Sequence, residues 1–308
     1  MRNKCLVLLG FLAFLAGGPC LPRATAAGLA SSTPAEEARA IVEALVSCGT
    51  RHSLSSWTDT RRGIGCGRDA VVRHLEAVEN ESGKRMRVVI DKFETSGPRT
   101  KNVPVPMENI YAILPGTDLG LERTAFVVSG HYDSMPSDVM DLKADAPGAD
   151  DGASGTAVSI LAARALAPKP ARATLVFAAV AGEEQGLLGA KRLLEWLTKQ
   201  GYTVGGMITC DIVGATNGSP DRRVRVFSEG GPDGIDSPGR QMARLVEEVN
   251  GKDKAASSFA SIALGAAATT GPSSKRVFPP CASPSRSRTT ATSTRRRGPR
   301  TGSNTATS

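Results

Sequence analysis

The chain has 308 residues, of which 40% are hydrophobic and 22% are charged, a composition that can fill a core and excludes wholesale disorder. No internal apolar run approaches the roughly 18 residues needed to cross a bilayer, which excludes an integral membrane protein. The net charge of +8 lies in residues 255–308, which hold eight Lys or Arg and no Asp or Glu, so the rest of the chain is neutral.

The first 27 residues have the three parts of a secretory signal peptide. Arg2 and Lys4 make a positively charged start, residues 5–16 are almost continuously apolar, and small residues at 24–26 suit a signal peptidase. We therefore expect residues 1–27 to be a signal peptide and the protein to be periplasmic or secreted.

Helical and β-rich patterns alternate along residues 28–254, which we expect to form one domain. The patterns predict helices at 35–48, 68–81, 154–167, 187–200 and 238–249, and strands at 87–93, 109–114, 125–129, 174–180, 207–213 and 223–228. Such alternation is typical of an α/β fold whose sheet is covered by helices on both faces. In these sheets the reactive groups collect at the carboxyl ends of the strands.

Cys48 and Cys66 are close enough in the sequence to close a short loop. In an oxidising compartment they could form a disulfide, and free buried thiols are the alternative.

Four polar clusters follow predicted strands, and together they indicate a metal site. The clusters are Gly130–Ser134, Gly148–Gly155, Gly182–Gly189 and Cys210–Gly214. Any one of them could be structural, since paired acidic residues also cap helices. Many carboxylates in one crevice, however, raise one another's pKa values unless cations compensate them. One imidazole with several carboxylate oxygens is a ligand set that suits zinc.

The clusters contain the sequences His-Tyr-Asp-Ser, Gly-Ala-Asp-Asp-Gly-Ala-Ser-Gly, Gly-Glu-Glu-Gln-Gly-Leu-Leu-Gly and Cys-Asp-Ile-Val-Gly. In order and spacing these resemble the co-catalytic zinc aminopeptidases of peptidase family M28, the bacterial leucyl aminopeptidase type. The resemblance covers roughly residues 35–250. It implies the zinc exopeptidase fold, with a mixed, mainly parallel central sheet and helices on both faces. It also implies two zinc ions and peptide substrates.

The resemblance implies a ligand for each zinc ion and one ligand shared between them. His131 and Asp211 would hold one zinc ion, Glu184 would hold the other, and Asp151 would bridge the two.

Two further residues would act in catalysis by the same resemblance. Glu183 would be the general base, which cannot also be a ligand if it is to carry a proton from water to the leaving amine. Asp133 would accept a hydrogen bond from the far ring nitrogen of His131 and so fix its orientation.

The family needs one more ligand, a late histidine on the second zinc, which this chain lacks. Its histidines are His52, His74 and His131, and the first two do not fall in the expected order. The second site would then keep only Asp151 and Glu184, so we expect one zinc ion or an easily depleted pair.

The C-terminal segment differs in character from the rest of the chain. Residues 255–308 are rich in Ser, Thr, Arg and Pro, which predicts a disordered basic tail and the loss of the last strands of the fold. A one-base shift could let the codons of residues 269–276 encode Asp-His-Arg-Ala-Phe-Leu-Glu-Ala, which contains the missing histidine. We therefore hypothesise a frameshift between about residues 251 and 258.

The leading hypothesis is an exported zinc exopeptidase, most simply an aminopeptidase. The alternatives are an inactive relic with an incomplete metal site and a single-zinc acyltransferase of the glutaminyl cyclase type. Nucleic-acid binding through Arg295–Arg297 is not favoured, because basic residues without interleaved aromatics give only weak, salt-sensitive association.

Overall fold

A computed structural model of the protein describes residues 33–215, 225–228, 237–252 and 261–265. The expected signal peptide and most of the expected disordered tail lie outside these residues. Within them, no helix has both the length and the apolar character that a membrane crossing requires.

The described residues form five α-helices and seven β-strands. The helices are α1 Pro34–Val46, α2 Ile64–Glu81, α3 Gly155–Leu166, α4 Leu188–Lys199 and α5 Pro238–Lys252. The strands are β1 Arg87–Thr95, β2 Val105–Leu114, β3 Thr124–His131, β4 Thr174–Val180, β5 Thr203–Asp211, β6 Arg225–Ser228 and β7 Ser261–Gly265. Every helix and strand predicted from the sequence is present, with ends that differ by a few residues.

The strands form one mixed sheet in the order β1-β2-β4-β3-β5-β7-β6. At its centre β3 runs parallel to both β4 and β5. Antiparallel pairs flank this centre, β1 with β2 and β2 with β4 on one side and β5 with β7 on the other. The carboxyl ends of β3, β4 and β5 therefore open at the same edge of the sheet.

Helices cover both faces of the sheet, as the sequence predicts. On one face α2 and α3 pack on the sheet and α1 packs on these two helices, through buried residues that include Ile41, Leu75 and Ile160. On the other face α4 packs through Leu193 and Trp196. Neighbouring residues on β2 face opposite sides, because side chains alternate along a strand. This burial supplies most of the favourable free energy of folding.

The strand β7 differs from the sequence-based expectation. Residues 255–308 were expected to lack regular structure, yet Ser261–Gly265 pairs antiparallel with β5 and parallel with β6. The uncharged run Ser261–Gly265 satisfies backbone groups of β5 that would otherwise be left at an open sheet edge. One strand therefore lies within the segment for which the sequence predicts no regular structure.

A disulfide joins Cys48 to Cys66. It connects the segment just after α1 to the first turn of α2, which decides between the two alternatives left open by the sequence. Cys210 at the end of β5 is a buried free thiol.

Candidate metal centre

The six residues singled out by the sequence lie on segments that meet at the carboxyl edge of the parallel strands. His131 and Asp211 are the last residues of β3 and β5. Asp151 lies in the short kinked segment Ala149–Ser154, which leads into α3, and its own backbone is not helical. Asp133 follows β3 by two residues, and the Glu183–Glu184 pair lies in the turn between β4 and α4.

His131 is the residue on which the carboxylates converge. It is 1% exposed, and its Nε2 lies 3.1 Å from Asp151 Oδ1 and 3.3 Å from Asp211 Oδ1. Ligand atoms of His131, Asp151 and Glu184 all lie within 4.8 Å of one another. The structure therefore brings together all four residues proposed as ligands.

Asp133 is fully buried and faces away from this convergence. Its Oδ1 lies 3.4 Å from Nδ1 of His131 and accepts a hydrogen bond from the backbone N–H of Glu183 at 3.3 Å. Its Oδ2 accepts from the Ser53 hydroxyl at 2.9 Å and from the N–H of Glu184 at 3.2 Å. Asp133 thus contacts both the imidazole and the turn that carries the two glutamates.

The pKa shifts at the site reflect crowded negative charge in a buried place. Burial, reinforced by Asp133 and other nearby carboxylates, raises the pKa of Glu183 to about 7 and that of Glu184 to about 8. Burial alone would lower the pKa of His131, but the carboxylates of Asp133, Asp151 and Asp211, each within 3.4 Å of a ring nitrogen, outweigh it and raise that pKa well above the usual value. A cation at this position would relieve the crowding.

The donor set fits zinc. One imidazole nitrogen and carboxylate oxygens from separate segments are ligands that zinc takes in open, catalytic sites. The Nδ1 of His131 makes no well-aligned hydrogen bond, although it is buried beside Asp133. In metal sites this far nitrogen is the one that donates to a carboxylate while Nε2 binds the ion.

The Asp150–Asp151 doublet divides between a structural residue and a site residue. Asp150 Oδ1 accepts from the N–H of Gly214 at 2.6 Å, and the Ser154 hydroxyl links Asp150 O to the N–H of Val213. Asp150 therefore fixes the exit of β5, while Asp151 faces His131.

Asn109, at the middle of β2, holds the turn that carries the glutamates. Its Oδ1 accepts from the N–H of Ala181 at 3.0 Å, and its Nδ2 donates to the carbonyl of Gly189 at 2.9 Å and to the Tyr111 hydroxyl at 2.8 Å. Asn109 thus closes both ends of the 181–189 segment. Sequence reasoning missed Asn109 and Ser53, because neither belongs to a motif of acidic residues or histidine.

Neither of the other histidines can supply the missing ligand in this arrangement. Both ring nitrogens of His52 are engaged, Nδ1 by the N–H of Leu54 at 3.1 Å and Nε2 by the carbonyl of Val139 at 3.0 Å. His74 lies on α2, where burial and neighbouring arginines lower its pKa. Since all three histidines are within the described part of the chain, His131 is the imidazole that the centre has.

Comparison with known proteins shows the family and the relatives to which the sequence is similar. The profile of "Peptidase family M28" matches residues 109–260. The chain is 40% identical over 233 residues to a "Probable zinc metalloprotease" of Pyricularia oryzae, across 69% of this chain and 46% of the relative. It is 38% identical over 253 residues to a similarly named protein of Leptosphaeria maculans, across 72% of this chain and 58% of the relative. The chain thus spans about half the length of the curated relatives it matches.

Solved structures with the same fold include two different activities. A leucine aminopeptidase precursor from Bacteroides thetaiotaomicron superimposes with a TM-score of 0.54 at 18% identity, covering 73% of this chain and 75% of that one. A glutaminyl cyclase from Fimbriiglobus ruber superimposes with a TM-score of 0.51 at 19% identity, covering 71% and 73%. At these identities the likeness shows the fold alone.

Proposed function

The chain belongs to peptidase family M28 through residues 109–260, and from this premise we propose that its centre is that of a zinc-dependent exopeptidase removing N-terminal residues from peptides. The observation that carries the proposal is the convergence of Asp151 and Asp211 on Nε2 of His131, with Glu184 completing the group. These four residues would hold the metal, His131 and Asp211 on one side, Glu184 on the other, and Asp151 between them. When bound, zinc supplies Lewis acidity that activates water and polarises a peptide carbonyl.

Glu183 has the placement that a general base needs. It is half-buried beside the ligand Glu184, and it is outside the group of ligand atoms around His131. A carboxylate in this position could take a proton from water and pass it to the leaving amine. Asp133 would orient His131 and, through the two backbone N–H groups it accepts, keep Glu183 and Glu184 in place.

Hydrolysis of aminoacyl-p-nitroanilides, with and without a chelator, tests the activity. We propose to assay both the chain as written and a chain with the alternative reading frame restored. Turnover that stops with chelator and returns with zinc supports the proposal. Turnover that ignores the chelator would exclude metal-dependent hydrolysis.

An acyltransferase of the glutaminyl cyclase type is the second candidate, since such enzymes share the fold. A ligand atom of Asp151 lies within 4.8 Å of those of both His131 and Glu184, which supports a ligand shared by two ions over a single-zinc site. Cyclisation of a peptide with N-terminal Gln, measured beside the p-nitroanilide assay, distinguishes the two reactions.

Export is part of the proposal. The signal-like residues 1–27 and the Cys48–Cys66 disulfide both suit an oxidising compartment outside the cytoplasm. Fractionation of expressing cells and N-terminal sequencing of the mature protein test this. A protein that keeps residues 1–27 and stays in the cytoplasm would contradict it.

A further inference from the structure

Arg51 is among the largest fully buried side chains in the described part of the chain, and its guanidinium binds no carboxylate there. All of its acceptors are backbone carbonyls. They are Tyr132 O at 2.7 Å from Nε, Leu45 O at 3.1 Å and Pro147 O at 2.7 Å from Nη1, and Gly148 O at 2.8 Å from Nη2. Burying a cation without an ion partner costs free energy. The segments that these four hydrogen bonds connect therefore indicate what the buried guanidinium does.

The guanidinium connects two of the four segments that carry proposed metal ligands. Tyr132 lies between His131 and Asp133, at the exit of β3. Pro147 and Gly148 lead into the turn that carries Asp151. One planar side chain therefore bonds to the backbone on both sides of the closest contact in the centre, the 3.1 Å between His131 and Asp151.

Ser134 joins the same two segments through the backbone of Arg51. Its hydroxyl accepts from the N–H of Arg51 at 3.1 Å and donates to the carbonyl of Ala146 at 2.7 Å. The N–H of Ser134 in turn donates to the carbonyl of Arg51 at 3.2 Å. Arg51 and Ser134 thus form a continuous set of hydrogen bonds beneath the centre.

The positive charge of Arg51 also suits its buried position near the carboxylates of the centre. Burial lowers its pKa to about 10, and the charges of Asp133 and Asp151 act in the opposite direction. The guanidinium is therefore protonated at neutral pH, and the carboxylates of the centre offset the cost of burying it.

We propose that Arg51 is a positioning residue that holds the exit of β3 and the turn of Asp151 at the separation needed to bind the metal. This rests on the proposed function in one respect, namely that the centre binds zinc. Only a planar fork with several N–H groups reaches four carbonyls at once, whereas a lysine has one nitrogen. The proposal therefore assigns the role of Arg51 to the geometry of its guanidinium and not to its charge alone.

Zinc affinity of the full chain, measured by competition with a chelating indicator, is the test. We expect Arg51→Lys and Arg51→Met each to lose about 10–100-fold in zinc affinity, as is usual when a group that orients a ligand is removed. Arg164→Met is the matched control, since Arg164 pairs with Glu37 and Glu81 at the other end of α3, and we expect it to lose less than threefold. An Arg51→Lys variant with wild-type affinity would overturn the proposal. A wild-type chain that binds no zinc would instead overturn the proposed function.

Ser134→Ala keeps the proposal testable if the Arg51 variants fail to fold. It removes the hydroxyl between Arg51 and Ala146 and leaves the buried guanidinium in place. We expect a several-fold loss of zinc affinity and a changed absorption spectrum of the cobalt(II)-loaded chain, with unchanged near-ultraviolet circular dichroism. Wild-type affinity together with a wild-type cobalt spectrum would overturn the proposal.

Discussion

At the scale of single residues, Glu183 and Glu184 are neighbours with different surroundings. Glu184 is buried and lies with His131 and Asp151 in the group of side chains that could hold a metal ion, whereas Glu183 is half-buried and stands outside that group. Both backbone N–H groups donate to Asp133, so one buried carboxylate holds the backbone of both residues.

Replacing Glu183 by Gln should separate catalysis from metal binding. The amide keeps the shape but cannot accept a proton, so we expect kcat to fall by about 10²–10⁴ while zinc affinity stays within a few-fold. Turnover is to be measured in the frame-restored chain, and zinc binding in both chains. Glu184→Gln is the matched control and should lose zinc. If Glu183→Gln loses zinc and Glu184→Gln keeps it, the two roles are reversed.

The same two glutamates should make the metal-free protein less stable as the pH rises. Their folded pKa values, about 7 and about 8, lie above the ordinary value of 4.5, so the folded chain binds protons more tightly than the unfolded chain. Their contribution to stability is full below pH 4.5 and is lost as the pH rises through 7–8. We expect the free energy of unfolding of the metal-free chain to fall steadily between pH 5 and pH 8.5.

Urea unfolding in the presence of a chelator measures this dependence. Saturating zinc should flatten the profile, and a variant with Gln at both positions should flatten it without zinc. A metal-free wild-type chain of equal stability at both pH values would contradict the shifts.

At the scale of elements, the turn between β4 and α4 depends on one buried amide of β2. Asn109→Ala leaves the N–H of Ala181 and the carbonyl of Gly189 without their side-chain partner. We expect a loss of about 1–3 kcal/mol in the free energy of unfolding. We also expect a lower zinc affinity, because the turn carries Glu184. Both are measured by urea unfolding and zinc titration.

Ser159→Ala is the control for Asn109→Ala. Its hydroxyl bonds to the carbonyls of Val128 and Ala178 beneath the sheet, away from the glutamate turn. We expect it to lose stability without losing zinc affinity. Equal zinc affinity in both variants would show that Asn109 contributes to the stability of the fold and not to zinc binding.

The elements and the candidate ligands could be predicted from the sequence because each has a local signal. Apolar periodicity marks the helices and strands, and His131 and the acidic doublets stand in short motifs at strand exits. Arg51, Ser53 and Asn109 carry no such signal, since their partners lie up to 129 residues away and their residue types are common. The sequence did not predict β7, because this strand forms by pairing with an open edge of β5 and has no clear strand pattern in its own residues.

At the scale of the whole molecule, the number of tightly bound zinc ions should depend on which reading frame encodes the C-terminal segment. The centre has one imidazole, and neither His52 nor His74 is placed to add a second. Of the described chain, β7 is the last element, and the family match ends at residue 260, close to the hypothesised frameshift. We expect the chain as written to hold one zinc ion, or two that exchange readily, with little or no peptidase activity.

Metal analysis of the chain as written and of the frame-restored chain, side by side, tests this expectation. Restoring the frame should bring a second tightly held zinc and peptidase activity. Two tightly held zinc ions in the chain as written would refute the argument. Resequencing the gene decides whether an alternative frame with Asp-His codons exists.

The sheet order gathers at one edge ligands that the chain keeps far apart, with 80 residues between His131 and Asp211. A metal held there would act as a cross-link, joining β3, β5 and the two turns as the Cys48–Cys66 bridge joins α1 to α2. Closing such long loops restricts the unfolded chain, and a ligand bound only by the folded form shifts the folding equilibrium with its concentration. Unlike a disulfide, this link opens and closes with the supply of the ion, so the lifetime of the folded protein against proteases would be set by the zinc level of its surroundings.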